Sequence, residues 1–146
     1  MRLALRSRDT FYVPNDPDKG SIDIKHLKIN EIRDIESKIN QLSLTTSENG
    51  DLVRKMDVNP YPLAKRLAIE SLEGWSNMKD ELGKDMNFND VNLEAAAEYV
   101  IMVEVDGKEV EHDFFSWVNI CRDTLSKRVK QEQKDALENL KASVDG

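Results

Sequence analysis

Alternating polar and apolar positions open the chain. Thr10 to Val13 is rich in β-branched and aromatic residues and stops at Pro14, which predicts a strand. Ser21-Ile22-Asp23-Ile24-Lys25 alternates with a period of two and predicts a second strand, paired antiparallel with the first across the loop 14–20. The period then changes. Ile32, Ile35, Ile39 and Leu42 fall at steps of three, four and three, so one stripe of a helix is predicted, capped by Asn30 with Glu31 and Asp34 near its positive end. Residues 43–59 sustain no period and are expected to be a polar loop or insertion.

Pro60 and Pro62 suit the first turn of a second helix, whose buried stripe is Leu63, Ala64, Leu67, Ala68 and Leu72, ending at Gly74. Trp75 to Met78 and Met86 to Phe88 are expected to be two short strands around the turn at Asp80 to Lys84. Asp90 is a plausible cap for a helix over 91–103, where three alanines at 95–97 favour helical backbone. Val103 to Val110 also fits a hairpin turning at Asp106-Gly107, and periodicity does not decide; the helix to Val103 is the favoured reading.

The last long pattern is the clearest. Phe114, Val118, Cys121, Leu125 and Val129 step by four, three, four and four, with Trp117 beside the stripe. Residues 130–135 hold no apolar side chain, and Leu137, Leu140 and Val144 restart a thin stripe beyond them. The pattern therefore predicts an α+β, mainly helical fold: an N-terminal β-hairpin, about four helices, a short central hairpin and a long C-terminal helix. One globular domain over 1–129 carries a hydrophilic helical extension over 130–146.

Size and charge narrow the function. A chain of 146 residues fits one core, and its longest unbroken apolar run, Tyr99 to Val103, is far too short to span a bilayer. Neither a membrane segment nor a signal peptide is expected. The net charge of −7 is concentrated: residues 73–113 carry twelve acids against three lysines. Such an acidic middle repels a phosphate backbone, so no nucleic-acid partner is expected. The stretch reads either as a solvated face or as a docking surface for a basic partner.

Catalytic chemistry finds little support. His26 and His112 sit in no recognisable motif, and Cys121, the single cysteine, falls on an apolar stripe as a small core residue does. One Cys and two separated His give no metal ligand set, so no metal and no other cofactor is expected. Asp16, Asp18 and Gly20 suggest a calcium loop, but counting from Asp16 the sixth residue is Ser21, where glycine is needed, and the twelfth is Leu27, where glutamate is needed. Trp75, Phe88, Phe114 and Trp117 are spaced as structural anchors. Adjacent Phe114, Phe115 and Trp117 cannot all leave one helix in the same direction, so at least one is a candidate surface anchor.

One constellation goes further. Ser7-Arg8-Asp9-Thr10-Phe11-Tyr12-Val13-Pro14, then Ile22-Asp23-Ile24-Lys25-His26-Leu27 leading into an Ile-rich helix, precede Glu73-Gly74-Trp75, an acidic turn, Gly83-Lys84, Phe88 and the capping residues Asn89-Asp90. This order, over residues 7–103, resembles the tail assembly chaperones of long-tailed bacteriophages. The resemblance implies a mainly helical, non-enzymatic factor of the host bacterial cytoplasm that keeps the tape-measure protein soluble and helps recruit tail-tube protein. A longer form made by translational frameshifting is common in such families, and the family offers no active-site residues to carry over.

Under that reading the docking surface is expected on the acidic helix at Glu94 and Glu98 and on the terminal helix through Leu137 and Leu140. Homo-oligomer formation stays open. Two alternatives are a structural virion component, such as an adaptor or minor tail protein, and an acidic inhibitor of a host nucleic-acid enzyme.

Overall fold

The computed structural model describes residues 7–44 and 61–144. Strand β1 (Arg8–Tyr12) pairs antiparallel with β2 (Ser21–Lys25), with Phe11 opposite Ile22 and Asp9 opposite Ile24. Helix α1 (Ile29–Leu44) and helix α2 (Tyr61–Ser71) follow. Strand β3 (Leu72–Ser76) then returns to pair with the other side of β2, so β2 is the centre of a three-stranded sheet of order β1-β2-β3. Helix α3 (Asp90–Ala95) and a 3-10 turn (Ala96–Glu98) lead into a second sheet of two strands, β4 (Val100–Val105) and β5 (Lys108–Asp113). Helix α4 (Phe114–Val144) closes the chain.

The expected α+β, mainly helical layout with an N-terminal hairpin and a central hairpin is corrected by this architecture in its strands, which form two small antiparallel sheets, one of three strands and one of two. Three local reasons account for the difference. The N-terminal strands are not a free hairpin, because Leu72, which extends the α2 stripe in sequence, leaves the helix and opens β3. Ser71 ends α2 by turning its buried hydroxyl back onto the Ala68 carbonyl at 2.8 Å. Asp23 faces Gly74 while Ile24 faces Leu72, so Glu73 is a bulge residue, and it reaches Arg8 at 3.2 Å.

The expected central hairpin over 75–88 is not formed either. Trp75 belongs to β3, and beyond it only Lys79 and Asp85 bridge. Asp80 Oδ1 accepts from the amides of Leu82 and Lys84, both at 2.9 Å, an Asx turn that limits the pairing to this one bridge and the backbone bonds beside it, Met86 N to the Met78 carbonyl at 2.8 Å and Asp80 N to the Lys84 carbonyl at 2.9 Å. Finally, the helix expected over 91–103 stops short. Its cap is Asn89, one residue earlier than Asp90, with Oδ1 accepting from Asn92 N at 2.8 Å. The alanines end in the 3-10 turn, after which the β-branched run Val100 to Val105 pairs with β5. Asp106 and Gly107 take φ of +52° and +79°, the left-handed pair that a tight type I′ hairpin requires.

Helix boundaries shift elsewhere. In α1 the Lys28 amide donates to Glu31 at 3.3 Å, so Asn30 lies inside the first turn and is not the cap. The loop expected from Ser43 begins no earlier than the end of α1 at Leu44, and its remainder, with Pro60, lies outside the described residues. Residues 130–144 continue α4 without a break.

The core lies where α4 crosses the three-stranded sheet and packs along α2. Ile22 and Ile24 of β2, Ala68 and Leu72, Leu93 and Ala96 meet Phe114, Val118, Cys121, Leu125 and Val129 of α4. Phe114, Phe115 and Trp117 are all buried, so none is a surface anchor. The first turn of α4 is enclosed on several sides: Phe114 meets Trp75 edge-on at 6.1 Å, and Lys65 of α2 lies over the Phe115 ring at 5.7 Å. Asp113 caps the helix by accepting from the Ser116 hydroxyl and amide.

Candidate functional site

Four exposed apolar side chains, Val100, Met102, Val105 and Val110, share the β4–β5 hairpin. Its base is anchored: Tyr99 accepts from Phe114 N at 3.0 Å and Ile101 is buried. Farther out, cross-strand pairing puts Val103 opposite Val110 and Val105 opposite Lys108 on one face. Val105 and Val110 there are exposed. The other face carries Val100 and Met102, both exposed, with Glu104 opposite Glu109 and Met102 opposite Glu111. Two like charges facing each other across a ladder cost stability. Among the described residues neither strand has a second partner, so both outer edges keep backbone donors and acceptors free.

At the root of the hairpin a cavity of about 200 Å³ opens between the two sheets. Three separate stretches build it: the β1–β2 loop, residues 77–79 after β3, and Tyr99 to Ile101 at the start of β4. Its walls are Val13, Met78, Tyr99, Val100, Ile101 and Phe114, and Asp16, Asp18, Asn77 and Lys79 line it as well. The loops meet at Gly20, where a Cβ would stand 2.8 Å from Asp16 Oδ2, 3.1 Å from Met78 Sδ and 3.3 Å from the Asn77 carbonyl. Only glycine allows that approach. Asp16 folds its loop by accepting from Gly20 N at 2.8 Å and Asp18 N at 3.2 Å.

The electrostatics of this corner are negative. Lys79 is held by an ion pair with Asp85, and that hydrogen bond, with the nearby Asp85 and Asp18 charges, raises its pKa against a smaller opposing effect of burial. Burial pushes the Tyr99 hydroxyl up, and the charges of Asp80 and Glu81 push the same way. The Tyr99 hydroxyl meets Met86 Sδ at 3.0 Å, tying the β4 root to the 77–88 segment.

That segment is one unit. Trp75 Nε1 donates to the Met86 carbonyl at 2.7 Å, Phe88 packs edge-on against Trp75 at 5.1 Å, and Asn92 reaches back to the Asn87 carbonyl at 2.8 Å. Of the four anchors, Phe114 and Trp117 are buried and Trp75 is half-buried, while Phe88 keeps 38% of its surface exposed.

The residues expected to dock a partner do not form one surface. Glu94 is exposed on α3 and pairs with Lys65 at 3.0 Å, and Glu98 lies in the 3-10 turn, next to the hairpin root. Leu137 and Leu140 lie on α4 beyond Val129, the last buried residue of the helix among its described side chains. At 1.5 Å per residue, Leu137 is roughly 35 Å along the helix from Phe114. The site-building signals that sequence reasoning missed are loop signals: Asn15, Lys19 and Asn77 all take positive φ around the cavity.

A second groove, about 380 Å³, runs between α1 and α2 over Leu27, Ile35 and Ile39. Four of its rim charges pair as Asp34–Lys38 and Arg66–Glu70, and Glu31, which also lines it, accepts from the Lys28 amide. Among the described residues no group of three His, Cys, Asp or Glu is placed to hold a metal ion, and no helix is long and apolar enough to cross a membrane. Cys121 is buried, and burial pushes its thiol up to about 12, against a small opposing effect of the Arg128 charge. A thiol so held is not a nucleophile at neutral pH. No protein-family model, curated protein or solved structure matches the chain.

Proposed function

We propose that this protein is a non-catalytic binding factor that holds another polypeptide, with the β4–β5 hairpin as its docking element. The observation that carries the reading is the hairpin itself: exposed apolar side chains on both faces, two edges unpaired among the described residues, and attachment to the hydrophobic core through Tyr99 and, within β4, Ile101 and Val103 alone, which leaves its outer part uncovered. An exposed strand edge is a template for a further strand, with backbone bonds giving affinity and side-chain pockets giving selectivity. The resemblance of residues 7–103 to tail assembly chaperones supplies the partner to test first. In that role the protein acts in the host bacterial cytoplasm, coats the tape-measure protein and helps recruit tail-tube protein.

Co-expression tests this directly. The wild-type chain should raise the soluble yield of a tape-measure protein, and the double variant Val105→Ser, Val110→Ser should lose most of that effect while folding normally. An unchanged yield with wild type counts against the proposal. Mass spectrometry of purified particles should find the chain absent, and stoichiometric presence would point to a structural virion component instead.

A further inference from the structure

We infer that the cavity between the two sheets receives a lysine or arginine side chain from an extended, basic segment of the partner, and that the Glu104, Glu109 and Glu111 face of the hairpin holds the cations that follow it. The inference rests on the polypeptide-binding reading above and adds the chemistry of what is bound. Three observations support it. First, the cavity has the form such a side chain needs, with apolar walls for a hydrocarbon stem and carboxylates where the charged head would arrive. Second, its lining is acidic on balance: Asp16 and Asp18 stand against Lys79 alone, Lys79 is ion-paired with Asp85 and only feels the Asp18 charge, and the exposed Asp18 carboxylate accepts no hydrogen bond among the described residues. A cation there gains most because part of its surroundings is protein and not water.

Third, the cavity leads onto the hairpin. Val100 lines it and also begins the face that continues through Met102 and Glu104, with Glu111 and Glu109 opposite. Side chains on one face of an extended chain recur every second residue. A segment with cations at alternate positions therefore places one in the cavity and the next ones against the carboxylates. The facing pair Glu104 and Glu109, a cost to the free protein, becomes a gain in the complex.

The test uses the full chain and a fluorescently labelled peptide of alternating lysine and threonine, with its glutamate counterpart as the control. Wild type should bind the lysine peptide, more weakly as salt rises, and ignore the glutamate peptide. Asp18→Lys breaks no hydrogen bond of the Asp18 carboxylate, replaces its attraction for Lys79 by a repulsion, and should weaken binding roughly tenfold, about 1.4 kcal/mol. Val100→Trp, which covers the mouth of the cavity, should weaken it to a similar degree. Glu36→Lys makes the same charge change on the exposed face of α1 and should leave binding nearly unchanged.

No binding by wild type, or equal losses in Asp18→Lys and Glu36→Lys, overturns the inference. Near-ultraviolet circular dichroism confirms that each variant is folded. If wild type and Asp18→Lys raise the yield of soluble tape-measure protein equally, the cavity is irrelevant and polypeptide binding stands. If wild type raises no yield, polypeptide binding by that partner fails, and the peptide titration still decides what the cavity takes.

Discussion

The two sheets draw on the same residue types and put them to opposite ends. In the three-stranded sheet, β2 has a neighbour on each side and a helix across it, so Ile22 and Ile24 are fully buried. In the two-stranded sheet, Val100, Met102, Val105 and Val110 also sit at alternating strand positions but stay exposed, because of the β4 strand only Ile101 and Val103 reach the core. A hairpin of two strands is marginal by itself and borrows stability from whatever covers it. Isoleucine in β2 and valine in β4 are equally suited to a strand; burial alone turns them into stability, and its absence leaves the surface available to a partner.

The sharpest way to break this contrast is to truncate one side chain on each side of it. Phe114→Ala, in a site with no exposed surface, should cost about 3–5 kcal/mol in chemical denaturation. Val110→Ser should change stability by no more than about 0.5 kcal/mol, as a surface substitution does. Comparable losses would mean that the hairpin tip is covered after all.

Cys121 gives the next largest effect and tests the packed side alone. Burial raises its thiol from 9.0 to about 12, so the neutral form is the one that folding favours. The stability it contributes is fully present below pH 9 and is lost as pH rises from there toward 12, when the unfolded chain ionises first. At pH 11 the stability of wild type relative to Cys121→Ala should have fallen by about 2.6 kcal/mol compared with pH 8, at about 1.4 kcal/mol per unit of pH between the two pKa values. In the native state at pH 8 the thiol should react with a disulfide reagent only as fast as the core opens.

How far these regions are legible in sequence follows the range of the interactions that form them. The α4 stripe Phe114, Val118, Cys121, Leu125, Val129 is legible because a long helix writes its burial at fixed local steps, and every one of these residues is buried. The pairing of β1 with β2 is legible because one short loop joins them. The third strand is not: Leu72 continues the α2 stripe, and only the distant β2 edge makes it a strand. At 100–113 the Asp106-Gly107 turn is visible, but so is an alanine run, and the β-branched residues beyond Tyr99 outweigh it once the Phe114 amide anchors the root. The cavity was beyond reach, since residues 13–20, 77–79 and 99–101 converge only through the fold.

A smaller effect measures how independent the hairpin is. Gly107 has φ of +79° and nothing within 4 Å of where a Cβ would stand, so Gly107→Ala introduces backbone strain without a clash. A left-handed alanine costs about 1 kcal/mol. Hydrogen exchange should show the β4 and β5 amides exchanging about fivefold faster while amides of β2 and the first half of α4 hardly change. Equal acceleration in both places would join the hairpin to the core as one cooperative unit.

The smallest effect has the opposite sign and bears most directly on function. Glu104 and Glu109 face each other on the ladder, so Glu109→Lys replaces a repulsion with an attraction. The hairpin should gain about 0.2–1 kcal/mol, visible as slower exchange of its amides and diminishing as salt screens the pair. The same variant should bind the basic peptide more weakly, because one carboxylate of the docking face has become a cation. A gain in local order with a loss of binding would separate the two roles of this face. If the variant is instead less ordered, the Glu104–Glu109 repulsion is not what keeps the free hairpin marginal, and the cause must be sought in its uncovered valines.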